Sequence, residues 1–215
     1  MTKHLKIDFV SDVVCPWCVI GLGGLEQALA NVGDLVQAEI HFQPFELNPS
    51  MPAGGQDMAE HIIQKYGMTP AQSAAGREQI IARAAEVGFE IRRNDDTRIY
   101  NTFDAHRLLC WAEPQGRQGS LKHALFDAYF TEGQRLDDAD VLVSAAAKAG
   151  LDADAARSVL ASEQYAETVR AAERKWQAAG IRSVPAVIVN DKYLISGGQP
   201  AAAFEQAIRQ IAQTT

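Results

Sequence analysis

The stretch "IDFVSDVVCPWCVIGLGGLEQALA" (7–30) sets two cysteines, Cys15 and Cys18, around Pro16 and Trp17 at the end of an apolar segment. Upstream, Leu5, Ile7 and Phe9 alternate with Lys6 and Asp8, the period-two pattern of a half-buried strand, and 11–15 reads as a short loop. From Pro16 onward, Val19, Leu22, Leu25 and Leu29 recur at helical spacing and predict a helix over 16–31. Gly33 and Asp34 break it. Val36, Ala38, Ile40 and Phe42 then alternate with Gln37, Glu39, His41 and Gln43 in a second strand, stopped by Pro44. The opening of the chain is therefore strand, helix, strand, with Cys-x-x-Cys at the start of the helix. Gly21, Gly23 and Gly24 sit awkwardly there, each costing about 1 kcal/mol relative to alanine in a helix interior. They fit a helix that is buried and packs closely on its neighbours.

Working outward, the segment 57–179 has a helical texture, with helices expected over 58–66, 70–87, 102–111, 121–131, 139–149 and 153–179, the last broken near Ser162. Thr69 and Pro70 supply a cap and a first-turn proline, and Gly67, Gly88, Gly150 and Gly180 stand where helices should stop. The polar stretch 90–98 reads as a connecting loop. After Gly180 the strand pattern returns: "VPAVIVNDKYLIS" (184–196) is two strands joined by a tight turn at Asn190 and Asp191. A last helix carries Phe204, Ala207, Ile208 and Ile211 on one face. The order is βαβ, a helical block, then ββα.

The chain has 215 residues, 47% hydrophobic and 22% charged, enough for one domain, or a domain carrying an insertion, with a substantial core. Its net charge of −7 argues against nucleic acid as the main partner, because phosphate binding needs a basic face. No segment approaches the roughly 18 consecutive apolar residues of a membrane helix, and the start "MTKHLKIDFV" lacks the apolar core of a signal peptide. A cytoplasmic protein with no membrane partner is expected.

Three cysteines, Cys15, Cys18 and Cys110, are too few for a disulfide scaffold. A structural zinc site usually needs a second close pair of ligands, and none is present. A purely structural disulfide across so short a loop would stabilise little. Redox chemistry is the better reading of Cys15 and Cys18. A thiol at a helix N-terminus meets unpaired N–H groups and the positive end of the dipole, which favour the thiolate. Cys18, one turn further in, would be close to Cys15 and less exposed.

Beyond the Cys-x-x-Cys, "NTFDAHRLL" (101–109), "LFDAYFTEGQRLDD" (125–138), "AGL" (149–151), "GIRSVPAVIVN" (180–190) and "ISGGQP" (195–200) complete a pattern that spans the chain. With "CPWC" (15–18), it resembles the DsbA family of thiol–disulfide oxidoreductases. More narrowly, it resembles the FrnE-like branch, related to 2-hydroxychromene-2-carboxylate isomerases and kappa-class glutathione transferases. The resemblance implies an α/β thioredoxin fold (βαβ…ββα) made of 1–50 and 180–215, with a helical domain, 51–179, inserted between the halves. It implies that Cys15 is the surface cysteine and Cys18 the resolving one. Pro16 and Trp17 would tune the pair, Trp17 equally serving as an apolar contact for substrate or as a packing residue. Val184 and Pro185 would form the cis-proline loop that meets an extended substrate.

The isomerase and transferase relatives typically carry serine at the first cysteine position, so the intact pair here favours thiol–disulfide exchange with protein or low-molecular-weight thiols. No cofactor is required; glutathione is admitted as reductant or co-substrate. The alternative is a glutathione-dependent isomerase or transferase of small aromatic compounds, and a third reading is a non-catalytic peptide-binding module. Asn101, His106 and Arg182 are groove candidates, set against a helix cap, a packed ring and a solvated arginine. Cys110, one turn from His106, reads as a small buried side chain rather than half of a reactive pair. The acidic run at Asp137, Asp138 and Asp140 reads as a helix start and not a metal site. A dimer is compatible with the sequence, without an interface motif to argue for it.

Overall fold

The computed structural model describes residues 2–92 and 97–214; part of the expected 90–98 loop lies outside them. Strand β1 (Lys3–Ser11) leads through helix α1 (Pro16–Asn31) to β2 (Val36–Pro44), which pairs with β1 in parallel from Lys3↔Val36 to Ser11↔Pro44. A parallel pair needs a crossover connection, and α1 supplies it. A short antiparallel pair, β3 (Gln56–Asp57) with β4 (Arg98–Ile99), brackets α2 (Met58–Tyr66) and α3 (Pro70–Glu86). Then come α4 (Phe103–Ala112), α5 (Gln118–Phe126), α6 (Ala139–Lys148), α7 (Ala153–Leu160) and α8 (Ala166–Ala178). The chain returns to the sheet as β5 (Ala186–Val189) and β6 (Tyr193–Ser196), and closes with α9 (Ala201–Thr214). The sheet order is β2-β1-β5-β6, with β5 antiparallel to both β1 and β6. This is the βαβ…ββα thioredoxin arrangement, with the helices from α2 to α8 between its halves.

Local chemistry accounts for the boundaries. Thr69 and Gln72 form a capping box at the start of α3, with Pro70 behind it. Asp138 accepts from Asp140 N–H at 2.9 Å and so starts α6. The β5–β6 turn holds Asn190 and Asp191 at φ 53° and 55°, the doubly left-handed geometry of a tight hairpin. One helix differs from the periodicity: helical structure begins at Gln118, three residues before Leu121, and continues past α5 as a π turn over Asp127–Thr131. The break expected near Ser162 lies between α7 and α8, where Tyr165 takes a left-handed φ of 62°.

The half-buried reading of β1 holds only for its first residues. Leu5, Ile7 and Phe9 enter the main core with α1 and α9, while Val10 joins Trp176, Ile181, Ala186 and Ile188 on the opposite face. Helix α8 covers that face, so even Asp8 is buried, accepting from Gln43 Nε2 at 2.7 Å and pairing with Lys6 Nζ at 2.9 Å. The main core runs without interruption from Leu5, Leu25 and Phe204 into Leu108, Leu121 and Phe126 of the helices. Each such side chain contributes about 1.5–3 kcal/mol when fully buried.

The glycines of α1 mark close approaches. A Cβ on Gly24 would lie 2.6 Å from the Gln199 carbonyl oxygen, and one on Gly21 would lie 2.9 Å from Pro185 Cγ. Gly24→Ala is therefore expected to destabilise the protein by about 1–3 kcal/mol in denaturant unfolding, despite alanine's better helix propensity. A stabilised variant would show that α1 and the start of α9 can separate freely.

Candidate functional site

Cys15 is the residue immediately before α1, with an extended backbone, and Pro16 occupies the first helical position, where a missing N–H costs nothing. Cys18 N–H donates to the Cys15 carbonyl at 3.0 Å, which winds the first turn and brings the two side chains together. Both cysteines are free thiols. Cys15 is 4% exposed and borders a cleft; Cys18 is 0% exposed and lies behind it. The Cys18 thiol hydrogen-bonds to Cys15. Burial first, then that hydrogen bond and the charge of Cys15, push Cys18 well above an ordinary thiol.

The loop before β5 lies over the pair. The Val184–Pro185 peptide bond is cis, and the Cys15 thiol points to the Val184 carbonyl oxygen at 3.8 Å. The close approach at Gly21 seats Pro185 on α1, and Gly198 would place a Cβ 2.8 Å from the Trp17 carbonyl oxygen. Trp17 thus packs against the β6–α9 turn and also lines the cleft.

The cleft, about 750 Å³, is bounded by Cys15, Pro16, Trp17 and Val184 on one side. Met58, Ile62 and Tyr66 of α2 and Ile80 of α3 form much of the other, with Phe45 and Leu47 between. Its charged lining is Lys65, Arg77 and Arg182, with Glu46 opposite in sign. Arg182 lines the cleft, is exposed, and donates to the Gln177 and Ile181 carbonyls. Asn101 and His106 do not line this cleft. Asn101 accepts from Phe103 N–H at 3.0 Å and acts as a cap, while His106 is buried 3.3 Å from Asp12. His106 therefore makes no pair with Cys110, whose thiol is pushed up to about 11 by burial and by Glu113.

Three buried charges near the site were not singled out from the sequence. Asp12 accepts from Leu47 N–H at 2.7 Å and meets His106 Nε2. Burial raises its carboxyl, but His106, Leu47 and Thr102 outweigh that and hold it below the ordinary value. Glu46 pairs with Arg170, which also bonds Glu173 at 2.8 Å. Lys122 of α5 is fully buried, and burial pulls its amine down to about 8 against the opposing charges of Cys18, Asp12 and Cys15. An aspartate three residues before a Cys-x-x-Cys and a lysine beside Leu121 and Leu125 were the available signals. Neither distinguishes a buried charge from a solvated one. Among the described residues, no group of three or more His, Cys, Asp or Glu is placed to hold a metal ion.

The structure thus brings together a helix-start cysteine that is itself nearly buried, a second cysteine behind it and a cis-proline loop over the pair. Residues 6–209 match the DSBA-like thioredoxin domain family. The chain belongs to that family. The uncharacterized protein YwbO of Bacillus subtilis (strain 168) is 29% identical over 209 residues, covering 97% of this chain and 96% of that protein. A Streptomyces coelicolor structure described as the "probable DsbA oxidoreductase SCO1869" is 36% identical with a TM-score of 0.91, covering 98% of this chain and 91% of that one. At the level of fold alone, a 2-hydroxychromene-2-carboxylate isomerase is 16% identical with a TM-score of 0.67 over 97% of both chains. The cytosolic disulfide reductase DsbM of Pseudomonas aeruginosa, solved with GSH, is 16% identical with a TM-score of 0.64 over 97% of this chain and 99% of that one. These neighbours are consistent with the FrnE-like branch.

Two stability measurements check the buried charges. Asp12→Ala leaves Leu47 N–H and His106 without their acceptor and is expected to cost about 2–4 kcal/mol at pH 7. Because the folded carboxyl is held below its ordinary value of 3.8, its charge-dependent stabilisation is complete above that value. It is lost as pH falls through the folded value, so the gap between wild type and variant should narrow below about pH 4. Lys122→Met removes a buried amine that has no hydrogen-bond acceptor among the described residues, and is expected to raise the melting temperature by about 2–8 °C, equivalent to about 1–2 kcal/mol. A lower melting temperature would mean that Lys122 is compensated where it lies.

Proposed function

We propose that the protein exchanges disulfides with protein or low-molecular-weight thiols through Cys15 and Cys18. The observation that carries this reading is the pairing of Cys15, at a helix start on the cleft, with a fully buried Cys18 hydrogen-bonded behind it. In the oxidising direction a substrate thiolate attacks Cys15 of the Cys15–Cys18 disulfide, the S–S electron pair leaves on Cys18, and a mixed disulfide forms. A second substrate thiolate displaces Cys15 and leaves the enzyme reduced. In reverse, Cys15 attacks a substrate disulfide and Cys18 resolves it.

The cleft offers an apolar wall for a substrate, and Val184 offers a backbone carbonyl beside the reacting sulfur. Pro16 and Trp17 shape its near edge, Pro185 holds the loop, and Arg182 supplies a cation for an acidic group. Residues 1–50 and 180–215 form the exchange module in this reading, and 51–179 form the module that walls the groove. Glutathione, with which the neighbouring DsbM was solved, is a candidate reductant or co-substrate. A cytoplasmic setting belongs to the same proposal; among the described residues no helix is long and apolar enough to cross a membrane.

The test is a titration of the wild type and of Cys18→Ser in glutathione buffers, with thiols blocked and masses read. A reversible two-electron couple in the wild type, absent in the variant, is expected. A pair that never forms a disulfide would overturn the reading and favour glutathione-dependent isomerase or transferase chemistry, which Cys18→Ser should spare. Cys110→Ala is expected to leave the couple unchanged, since burial keeps that thiol protonated at neutral pH.

A further inference from the structure

Helix α3 turns one face to the cleft: Ser73, Gly76, Arg77 and Ile80, at helical spacing, all line it. Gly76 lies in the helix interior, where only proline is a poorer residue. Close packing does not require it. A Cβ there would meet nothing nearer than Met68 Cε at 3.9 Å, an ordinary contact, unlike the 2.9 and 2.6 Å approaches at Gly21 and Gly24. What the missing side chain leaves is room in the cleft. Arg77, the next residue, is half-buried, and its guanidinium makes no hydrogen bond or ion pair among the described residues. The other charged groups of the cleft are engaged. Lys65 Nζ donates to the Leu47 carbonyl at 2.9 Å and to Asn48 Oδ1 at 2.7 Å. Arg182 donates to the Gln177 and Ile181 carbonyls, and Glu46 is held by Arg170. In a chain of net charge −7, three cations around one cleft make a local field opposite to that of the whole. A guanidinium presents five N–H donors, and a carboxylate meets them with two parallel hydrogen bonds.

We propose that this face of α3 recognises a carboxylate on the substrate, with Arg77 as the specificity-determining residue and Gly76 as the space the ligand fills. The ligand is a low-molecular-weight disulfide that bears a carboxylate. The inference rests on the exchange reading above. Cys15 is only 4% exposed, and α2 and α3 wall the cleft in front of it, so a small flexible molecule reaches its sulfur where the surface of a folded protein does not. With the carboxylate on Arg77, the Cys15 thiolate attacks one sulfur of the bound disulfide. The Cys15–S bond forms, the ligand S–S bond breaks, and its electron pair leaves on the second sulfur. Cys18 then resolves the mixed disulfide. One ligand disulfide is reduced to two thiols, which take up the two protons of the cysteine pair, and the pair is oxidised. The apolar walls, Met58, Ile62 and Ile80, accept the carbon chain between sulfur and carboxylate.

The experiment oxidises the reduced protein with three disulfides of similar length: dithiodipropionate (anionic), hydroxyethyl disulfide (neutral) and cystamine (cationic). The Cys15–Cys18 disulfide is followed by mass after thiol blocking, and each rate is divided by that of the same compound with free dithiothreitol. At low ionic strength the wild type is expected to prefer the anion to the neutral compound by at least about tenfold, the effect of one charge-assisted hydrogen bond. The cation should be slowest. Arg77→Gln should remove most of the anion-to-neutral ratio. Gly76→Leu should slow the anion by at least about fivefold, the lower end of what overfilling a packed space costs, with no fall in melting temperature. A wild type without charge preference would overturn the proposal. So would a preference that survives Arg77→Gln, which would place recognition on Lys65 or Arg182, or an anion rate unmoved by Gly76→Leu. If Arg77→Gln does not fold, Gly76→Leu and the wild-type ratio decide. A wild type that none of the three compounds oxidises would instead sink the exchange reading itself.

Discussion

The close approach of α1 to the β6–α9 turn and to the loop before β5 is the constraint on which the rest of the site depends. Gly21, Gly24 and Gly198 leave no side chain at the contact, and a Cβ at any of them would fall within 3.0 Å of a neighbouring atom. Helix propensity alone would disfavour α1 here. Packing against Phe204, Val187 and Val189 outweighs that disadvantage. The same contact sets Pro185 on α1 and the Val184 carbonyl over Cys15, so a structural economy and a chemical geometry have one cause.

Beneath that contact the core is unusually charged. Asp12, His106 and Lys122 are all buried within a few per cent of complete exclusion. Asp12 and His106 satisfy each other and tie the loop before α1 to α4 and, through Leu47 N–H, to the chain after β2. That arrangement holds the cysteine loop from below as the cis-proline loop holds it from above. Lys122 has no hydrogen-bond partner among the described residues, and its amine rests over the Phe126 ring.

The helices between the two halves of the sheet complete the site rather than decorate it. Helices α2 and α3 bring Met58, Ile62, Tyr66 and Ile80 to face Cys15 and turn an exposed helix start into a cleft. Helix α5 supplies Lys122, and α8 closes the far face of the sheet through Trp176. The chain thus uses one helical segment for three tasks: cleft wall, buried charge and core.

The sequence by itself determined the order of elements, the start of α1 at Pro16, the hairpin at Asn190 and Asp191, and the cysteine pair. These are local: apolar period, cap residues, turn residues and spacing act within a few positions, and each can be read where it stands. The outer groups of the site were not legible in that way. Nothing near Asn101 or His106 in the chain says that one caps a helix and the other meets Asp12 across the core. Nothing near Lys122 says that its amine has lost water. Burial is a property of what packs against a residue, and those partners come from segments distant in sequence. Tertiary structure decided which charges are desolvated, which walls form the cleft and that β1 is covered on both faces, because desolvation and close packing arise only when remote surfaces meet.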